Sequence, residues 1–236
     1  MEKIVEEPWK EITNRHMGDI YHARGNTACN QGEFSASLDY YKKAIEIYKE
    51  NEHDDDEFTK NSKIADTLNN IAIVHRYLGD YDKAISILEN SLDIKSKLNV
   101  SRKNFSEEPM PTLGHSLNNL GLLYQDKRNF KRALDYFFEG LECYEKAYKK
   151  EPNHPNIASI LNNIGLCYQD AEDYVKSLDF LNDALEVYNK IHRYNRRNSE
   201  ISDCLNNIGV NYYFRKDMSQ NLSFFPYDTN KQYGHQ

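Results

Sequence analysis

The stretch Leu161-Asn162-Asn163-Ile164-Gly165-Leu166-Cys167-Tyr168 decides the fold, because it is not alone. It returns as Leu117-Asn118-Asn119-Leu120-Gly121-Leu122-Leu123-Tyr124, as Leu68-Asn69-Asn70-Ile71-Ala72 and as Leu205-Asn206-Asn207-Ile208-Gly209. A looser copy, Tyr21-His22-Ala23-Arg24-Gly25, opens the series. With the Gly or Ala as marker, the copies stand at 25, 72, 121, 165 and 209, in steps of 47, 49, 44 and 44 residues. Repetition at this period means a stacked array in which no unit buries its apolar face alone.

Around each marker the apolar residues are spaced for helices. In the clearest copy Ile160, Leu161, Ile164, Cys167 and Tyr168 form one stripe, with Asn162, Asn163, Leu166, Gln169 and Asp170 opposite. Nine residues after the markers stand Phe34, Tyr81, Phe130, Tyr174 and Met218; twelve after stand Ser37, Ala84, Ala133, Ser177 and Asn221. Sixteen after stand Tyr41, Leu88, Phe137, Leu181 and Phe225, and nineteen after stand Ala44, Ser91, Gly140 and Ala184. Small and large residues alternate on one face of a second helix, as interlocking layers require. A glycine inside a helix costs about 1 kcal/mol against alanine, so its recurrence at the marker implies close helix-helix approach there.

The pattern predicts five helix pairs, about 14–52, 62–99, 113–150, 157–193 and an incomplete 199–218, in one array over 1–218. Gly32-Glu33 and Gly79-Asp80 break the first two pairs, and Asn156, Asp173 and Ser199 are candidate N-caps. Residues 1–12 read as a charged lead-in whose Trp9 covers the first helix. Residues 219–236 read as an irregular tail, since Pro226 interrupts the run that would be the last helix.

This arrangement resembles the tetratricopeptide repeat, whose skeleton is a large residue, Leu-Gly, Tyr, then Ala, a large aromatic and Ala. Here it reads Leu117, Leu120, Gly121, Tyr124, Ala133, Phe137 and Gly140. The stretch 153–165 looks most like the kinesin-light-chain type of repeat. The resemblance implies an all-α right-handed superhelix, an α-α solenoid, acting as a non-enzymatic peptide or cargo adaptor. Chaperone-binding members grip a carboxylate with Lys, Asn, Asn, Lys and Arg. The matching positions are His22, Asn26, Asn70, His115 and Asn119, so the permanent cations are missing.

The paired asparagines are the candidate site. Asparagine is about 0.6 kcal/mol worse than alanine at each helical position, so something must use the eight carboxamides. They serve either the backbone of an extended peptide in a groove or the packing between neighbouring repeats, and the sequence leaves both open. Family geometry puts Asn26, Asn70, Asn119, Asn163 and Asn207 on the groove, with Ile73, His115, Leu122 and Leu166 beside them. Asp66, Ser159 and Asp203 toward the helix starts, with Asp126 and Asp170 near the ends, make that groove weakly acidic. A neutral or basic peptide partner fits it best.

Net charge is −7 with signs mixed along the chain, which disfavours nucleic acid and anionic membrane as partners. No apolar run approaches membrane-spanning length, and a cytoplasmic location is expected. Cys29, Cys143, Cys167 and Cys204 form no CxxC pair and fall on apolar patterns, as reduced core thiols do. No motif for a nucleotide, metal or catalytic nucleophile is present, so neither cofactor nor metal is expected. The basic cluster His192-Arg193-Tyr194-Asn195-Arg196-Arg197 reads as a helix end running into a solvated loop. Two other roles fit the pattern: a peptide-gated regulator, and a structural segment of a larger array.

Overall fold

The computed structural model describes residues 8–50, 56–102, 111–192 and 199–215. Within them the secondary structure is helical throughout: α1 (Pro8–Asn30), α2 (Phe34–Glu50), α3 (Glu57–Tyr77), α4 (Tyr81–Arg102), α5 (Pro111–Asp126), α6 (Phe130–Ala147), α7 (Pro155–Asp170), α8 (Tyr174–Ile191) and α9 (Ser199–Phe214). The chain divides into two compact units, Met1–Ala147 and Tyr148–Gln236. In the first, α1 packs on α2, α3 on α4 and α5 on α6, and each pair packs on the next. In the second, α7 packs on α8 and α8 on α9. The tail 219–236, the basic cluster beyond His192 and the side chain of Trp9 lie outside the described residues.

The joint inside each pair is the same two-residue device. Seven residues after the marker the backbone turns left-handed, at Gly32 (φ 77°), Gly79 (φ 79°), Arg128 (φ 57°) and Glu172 (φ 64°). The residue after it closes a six-to-one hydrogen bond onto the first helix, as in Asp80 N to His75 O (2.9 Å) and Asp173 N to Tyr168 O (2.9 Å). That same residue then begins the second helix: Asn129 Oδ1 accepts from Arg132 N and Asp173 Oδ1 from Lys176 N. Only the first two joints use the residue that adopts this conformation without steric cost.

Across each pair the residue sixteen beyond the marker seats on the marker itself. A Cβ added at Gly25 would stand 2.4 Å from the Tyr41 ring, at Gly121 2.5 Å from the Phe137 ring and at Gly165 2.7 Å from Leu181 Cγ. Ala72 carries a methyl here, and its counterpart sixteen residues on is the slimmer Leu88. The small residues of the second helix, Ala84, Ala133 and Ser177, are fully buried. Two turns toward the start of the first helix, Gly18 and Gly114 meet Tyr48 and Tyr144 in the same way.

Helix starts differ from expectation where the signal lay outside the repeat. Helix α3 begins at Glu57, five residues before the expected Ser62, because the Asp56 side chain accepts from Thr59 N at 2.7 Å. For α7 the N-cap is His154 rather than Asn156: its Nδ1 accepts from Asn156 N at 3.2 Å, and Pro155 takes the first helical position. Helix α1 is described from Pro8, six residues before the expected Asn14, with residues 1–7 outside the described residues, and α9 ends at Phe214. Ser199 is the first residue of α9.

Candidate functional site

Within each unit the second asparagine reaches back to the preceding repeat at Asn70, Asn119 and Asn207. In the first unit Asn119 Nδ2 donates to Asn69 Oδ1 (3.1 Å), and Asn70 Nδ2 donates to Asn26 Oδ1 (3.0 Å) and to His22 Nε2 (3.2 Å). In the second, Asn207 Nδ2 donates to Asn162 Oδ1 (3.1 Å). His22, Asn69 and Asn162 each stand three residues before their marker, so the acceptor position is shared along the chain. The carboxamides of Asn70, Asn119 and Asn207 are thus partly spent on stacking.

The protons around His22 are fixed by their partners. The Thr67 hydroxyl donates to Lys63 O (2.8 Å), so the 2.9 Å contact between Thr67 Oγ1 and His22 Nδ1 requires that Nδ1 carry the hydrogen. Nε2 is then the acceptor that Asn70 needs. Burial lowers the His22 pKa from 6.5, against the upward pull of Asp66 and Asp19, which keeps the ring neutral. Asn26 Oδ1 also accepts from the Tyr41 hydroxyl at 2.7 Å. With Oδ1 doubly occupied, Asn26 presents its Nδ2 outward; with both Nδ2 hydrogens committed, Asn70 presents Oδ1.

A recurrent polar contact that sequence reasoning missed lies at the other end of these helices. The residue twenty-three after the marker reaches the residue six before it: Tyr48 OH to Asp19 Oδ1 (2.8 Å), Lys95 Nζ to Asp66 Oδ1 (2.9 Å), and Tyr188 OH to Ser159 Oγ (3.2 Å). The Tyr144 ring stands beside the ring of His115, centroids 5.7 Å apart. Lys95 is 1% exposed, and its other hydrogens go to Thr112 O (3.2 Å) and Ser116 Oγ (3.0 Å) on the next helix pair. Burial lowers its pKa, opposed by the Asp66 carboxylate, which holds the ammonium charge. Asp126 is likewise paired, with Arg76. Two of the acids expected to colour the groove are therefore neutralised, and this face of the first unit is less acidic than the residue types suggest.

Asn26, Asn70 and Ile73 come together in one open depression of about 640 Å³ in the first unit. Asn30, Phe34, Tyr41 and Tyr77 complete its wall, with Cys29 and Gly32, and no charged side chain lines it. Phe34 and Tyr77 stack at 5.7 Å, while Tyr77 remains 62% exposed. An aromatic at both residues was visible in the sequence; their pairing across repeats was not. His115, Asn119 and Leu122 lie farther along the same unit on α5, where His115 is exposed and the other two half-buried. Asn163, Leu166 and Asn207 are half-buried in the second unit, where Asn211 Nδ2 also donates to Gln169 Oε1 (2.6 Å). Cys29 is half-buried; Cys143, Cys167 and Cys204 are buried, and burial pushes their pKa values up to about 11, about 12 and about 12. Among the described residues no three His, Cys, Asp or Glu side chains gather as metal ligands, and no helix is long and apolar enough to cross a membrane.

Three sequence profiles described as "Tetratricopeptide repeat" match residues 18–51, 64–100 and 112–190. Photosystem I assembly protein Ycf3 of Prochlorococcus marinus subsp. pastoris is 29% identical over 140 residues, 56% of this chain and 66% of that protein. The chain thus spans slightly under two thirds of the length of this curated relative. The crystal structure of BtubC (BKLC) from P. vanneervenii superposes with a TM-score of 0.73 at 19% identity, over 92% of this chain and 82% of that one. A Podosopora anserina structure of nearly identical kinesin light chain TPR-like repeats gives 0.65 at 13% identity, over 93% of each chain. These likenesses are of fold, and they agree with the style of the repeat at 153–165.

Proposed function

The chain belongs to the tetratricopeptide repeat family, an all-α fold of stacked helix pairs, and from that premise we propose that it is a non-catalytic protein-interaction scaffold. It holds an extended segment of a partner protein against the asparagine-bearing first helices, through Asn26, Asn70 and Asn119 in the first unit and Asn163 and Asn207 in the second. Ile73, His115, Leu122 and Leu166 supply the flanking surface. The observation that carries this reading is the division of labour in the carboxamides. At Asn70, Asn119 and Asn207, Nδ2 is used between repeats, and the carbonyl oxygen is the group offered to a ligand N–H. Ion pairing of Asp66 and Asp126 favours a neutral segment over a basic one.

The name of the Prochlorococcus relative describes that protein's part in assembling a complex. For this chain it supports the general reading of a scaffold that holds another protein, and an assembly role is the form we propose. A cytoplasmic setting and a partner other than nucleic acid fit the net charge of −7. Residues 199–236 belong to this reading only through Asn207, so it does not depend on the tail.

The test is peptide selection on the full chain, followed by binding of the selected peptides to Asn119→Ala, Asn163→Ala and the double variant. Each net hydrogen bond is worth about 0.5–1.5 kcal/mol, so the double variant should bind about ten- to a hundredfold more weakly. Urea unfolding of the same variants separates the two jobs of the side chain. Loss of stability with unchanged affinity would assign the carboxamides to stacking alone and overturn the peptide reading; loss of neither would remove both accounts.

A further inference from the structure

We propose that the depression of the first unit is a subsite for one uncharged aromatic residue of a bound peptide, taking its backbone C=O on Asn26 and its N–H on Asn70. The proposal rests on the peptide-scaffold reading and adds the identity and direction of one bound residue. Three observations carry it. The hydrogen-bond wiring leaves Asn26 a donor and Asn70 an acceptor, because Tyr41 and Asn70 both donate to Asn26 Oδ1 and Asn70 uses its Nδ2 on Asn26 and His22. An extended residue presents its own N–H and C=O to the same side, which matches one donor beside one acceptor. No charged side chain lines the depression, so a charged side chain entering it would lose water without gaining a partner.

The aromatic preference comes from the wall. Phe34 and Tyr77 are stacked with their planes 19° apart, and 62% of Tyr77 faces solvent. An incoming ring can extend that stack, with Ile73 beside it. A depression of about 640 Å³ lies within the usual span for ligand pockets, about 300–1,000 Å³, and is roomier than one ring needs. The remaining space admits the flanking backbone of the peptide.

The test uses N-acetyltyrosine N-methylamide, in which one residue's own N–H and C=O are both held as amides beside one ring, titrated into the isotope-labelled full chain and followed by NMR. Shifts should centre on Asn26, Asn30, Phe34, Asn70 and Tyr77, and the alanine analogue should bind about three- to tenfold more weakly. Tyr77→Ala should erase that difference; the residue is exposed, so the fold is retained. Asn26→Asp keeps an acceptor for Tyr41 and Asn70 but opposes an oxygen to the peptide carbonyl, and should weaken the tyrosine compound about tenfold or more. Equal binding of the alanine analogue, shifts centred elsewhere, or no shift at the solubility limit overturns the proposal. So does methyl α-glucoside binding the same residues as tightly, which would make this a sugar site. If selected peptides respond to Asn119→Ala and Asn163→Ala but not to Asn26→Asp or Tyr77→Ala, the subsite fails and the scaffold reading stands. If they respond to none of the four, both fail.

Discussion

Replacing Gly121 by alanine sets two known quantities against each other. The added methyl improves helix propensity by about 0.8–1.0 kcal/mol. It would also stand 2.5 Å from two carbons of the Phe137 ring and 2.9 Å from a third, where carbon contacts are normally about 3.5–4.0 Å. The ring is fully buried, so it must retreat by about 1 Å into packed neighbours, and overpacking of this kind costs about 1–3 kcal/mol. The expected balance is a loss of about 0–2 kcal/mol, read as a lower urea midpoint with unchanged slope. The decisive comparison adds Phe137→Leu. The double variant recreates the Ala72–Leu88 pairing of the second repeat, so the methyl that is harmful against phenylalanine should be harmless or helpful against leucine. A coupling of about 1–2 kcal/mol between the substitutions is expected. If Gly121→Ala alone raises stability by the full propensity gain, and the cycle shows no coupling, close approach is not why the marker is glycine.

Three further outcomes are expected. Because burial lowers the His22 pKa from 6.5, the neutral ring contributes stability that is complete above about pH 6.5 and is lost as pH falls through the depressed folded value. Protonation would also set Nε2–H against Asn70 Nδ2. Between about pH 7.5 and pH 5 the wild type should therefore lose more stability than His22→Gln, and equal slopes would refute the wiring. Glu172→Gly should gain about 0.5–1 kcal/mol in urea unfolding, since the φ of 64° is strained for glutamate and free for glycine; no gain would mean that the joint carries no strain. Of the four thiols, half-buried Cys29 should react with a maleimide well before Cys143, Cys167 and Cys204, and equal rates would contradict their burial.

The repeat made the helix pairs legible, because a residue locked against a marker must recur at a fixed offset, and Tyr41, Phe137 and Leu181 do. The asparagines announced by their helix cost that their carboxamides had work to do. Their partners were hidden, since Asn119 meets Asn69 and Asn207 meets Asn162 across a whole repeat, a distance no helical wheel spans. The contact twenty-three residues after the marker was masked by chemistry: Tyr48, Lys95 and Tyr188 share a position and a role without sharing a residue type. Lys95 stood on the stripe of Ala84, Leu88 and Ser91, and only its charge argued for solvent. Helix starts set by Asp56 and His154 belong to single connections, so periodicity could not find them.

Mechanically, the first unit is three rods joined by two springs, and the springs are unequal. Lys95 ties the second pair to the third through Thr112 and Ser116, reinforced by Arg76 on Asp126 and Lys127 on Asp82. The junction of the first and second pairs has amide and imidazole bonds around Asn70, with Lys63 reaching Asp19 at 3.3 Å. For springs in series under one load, the softer takes most of the deflection. Bending of this unit therefore gathers where α1 meets α3, at the rim of the depression, and whatever fills that rim acts on the softer of the unit's two joints.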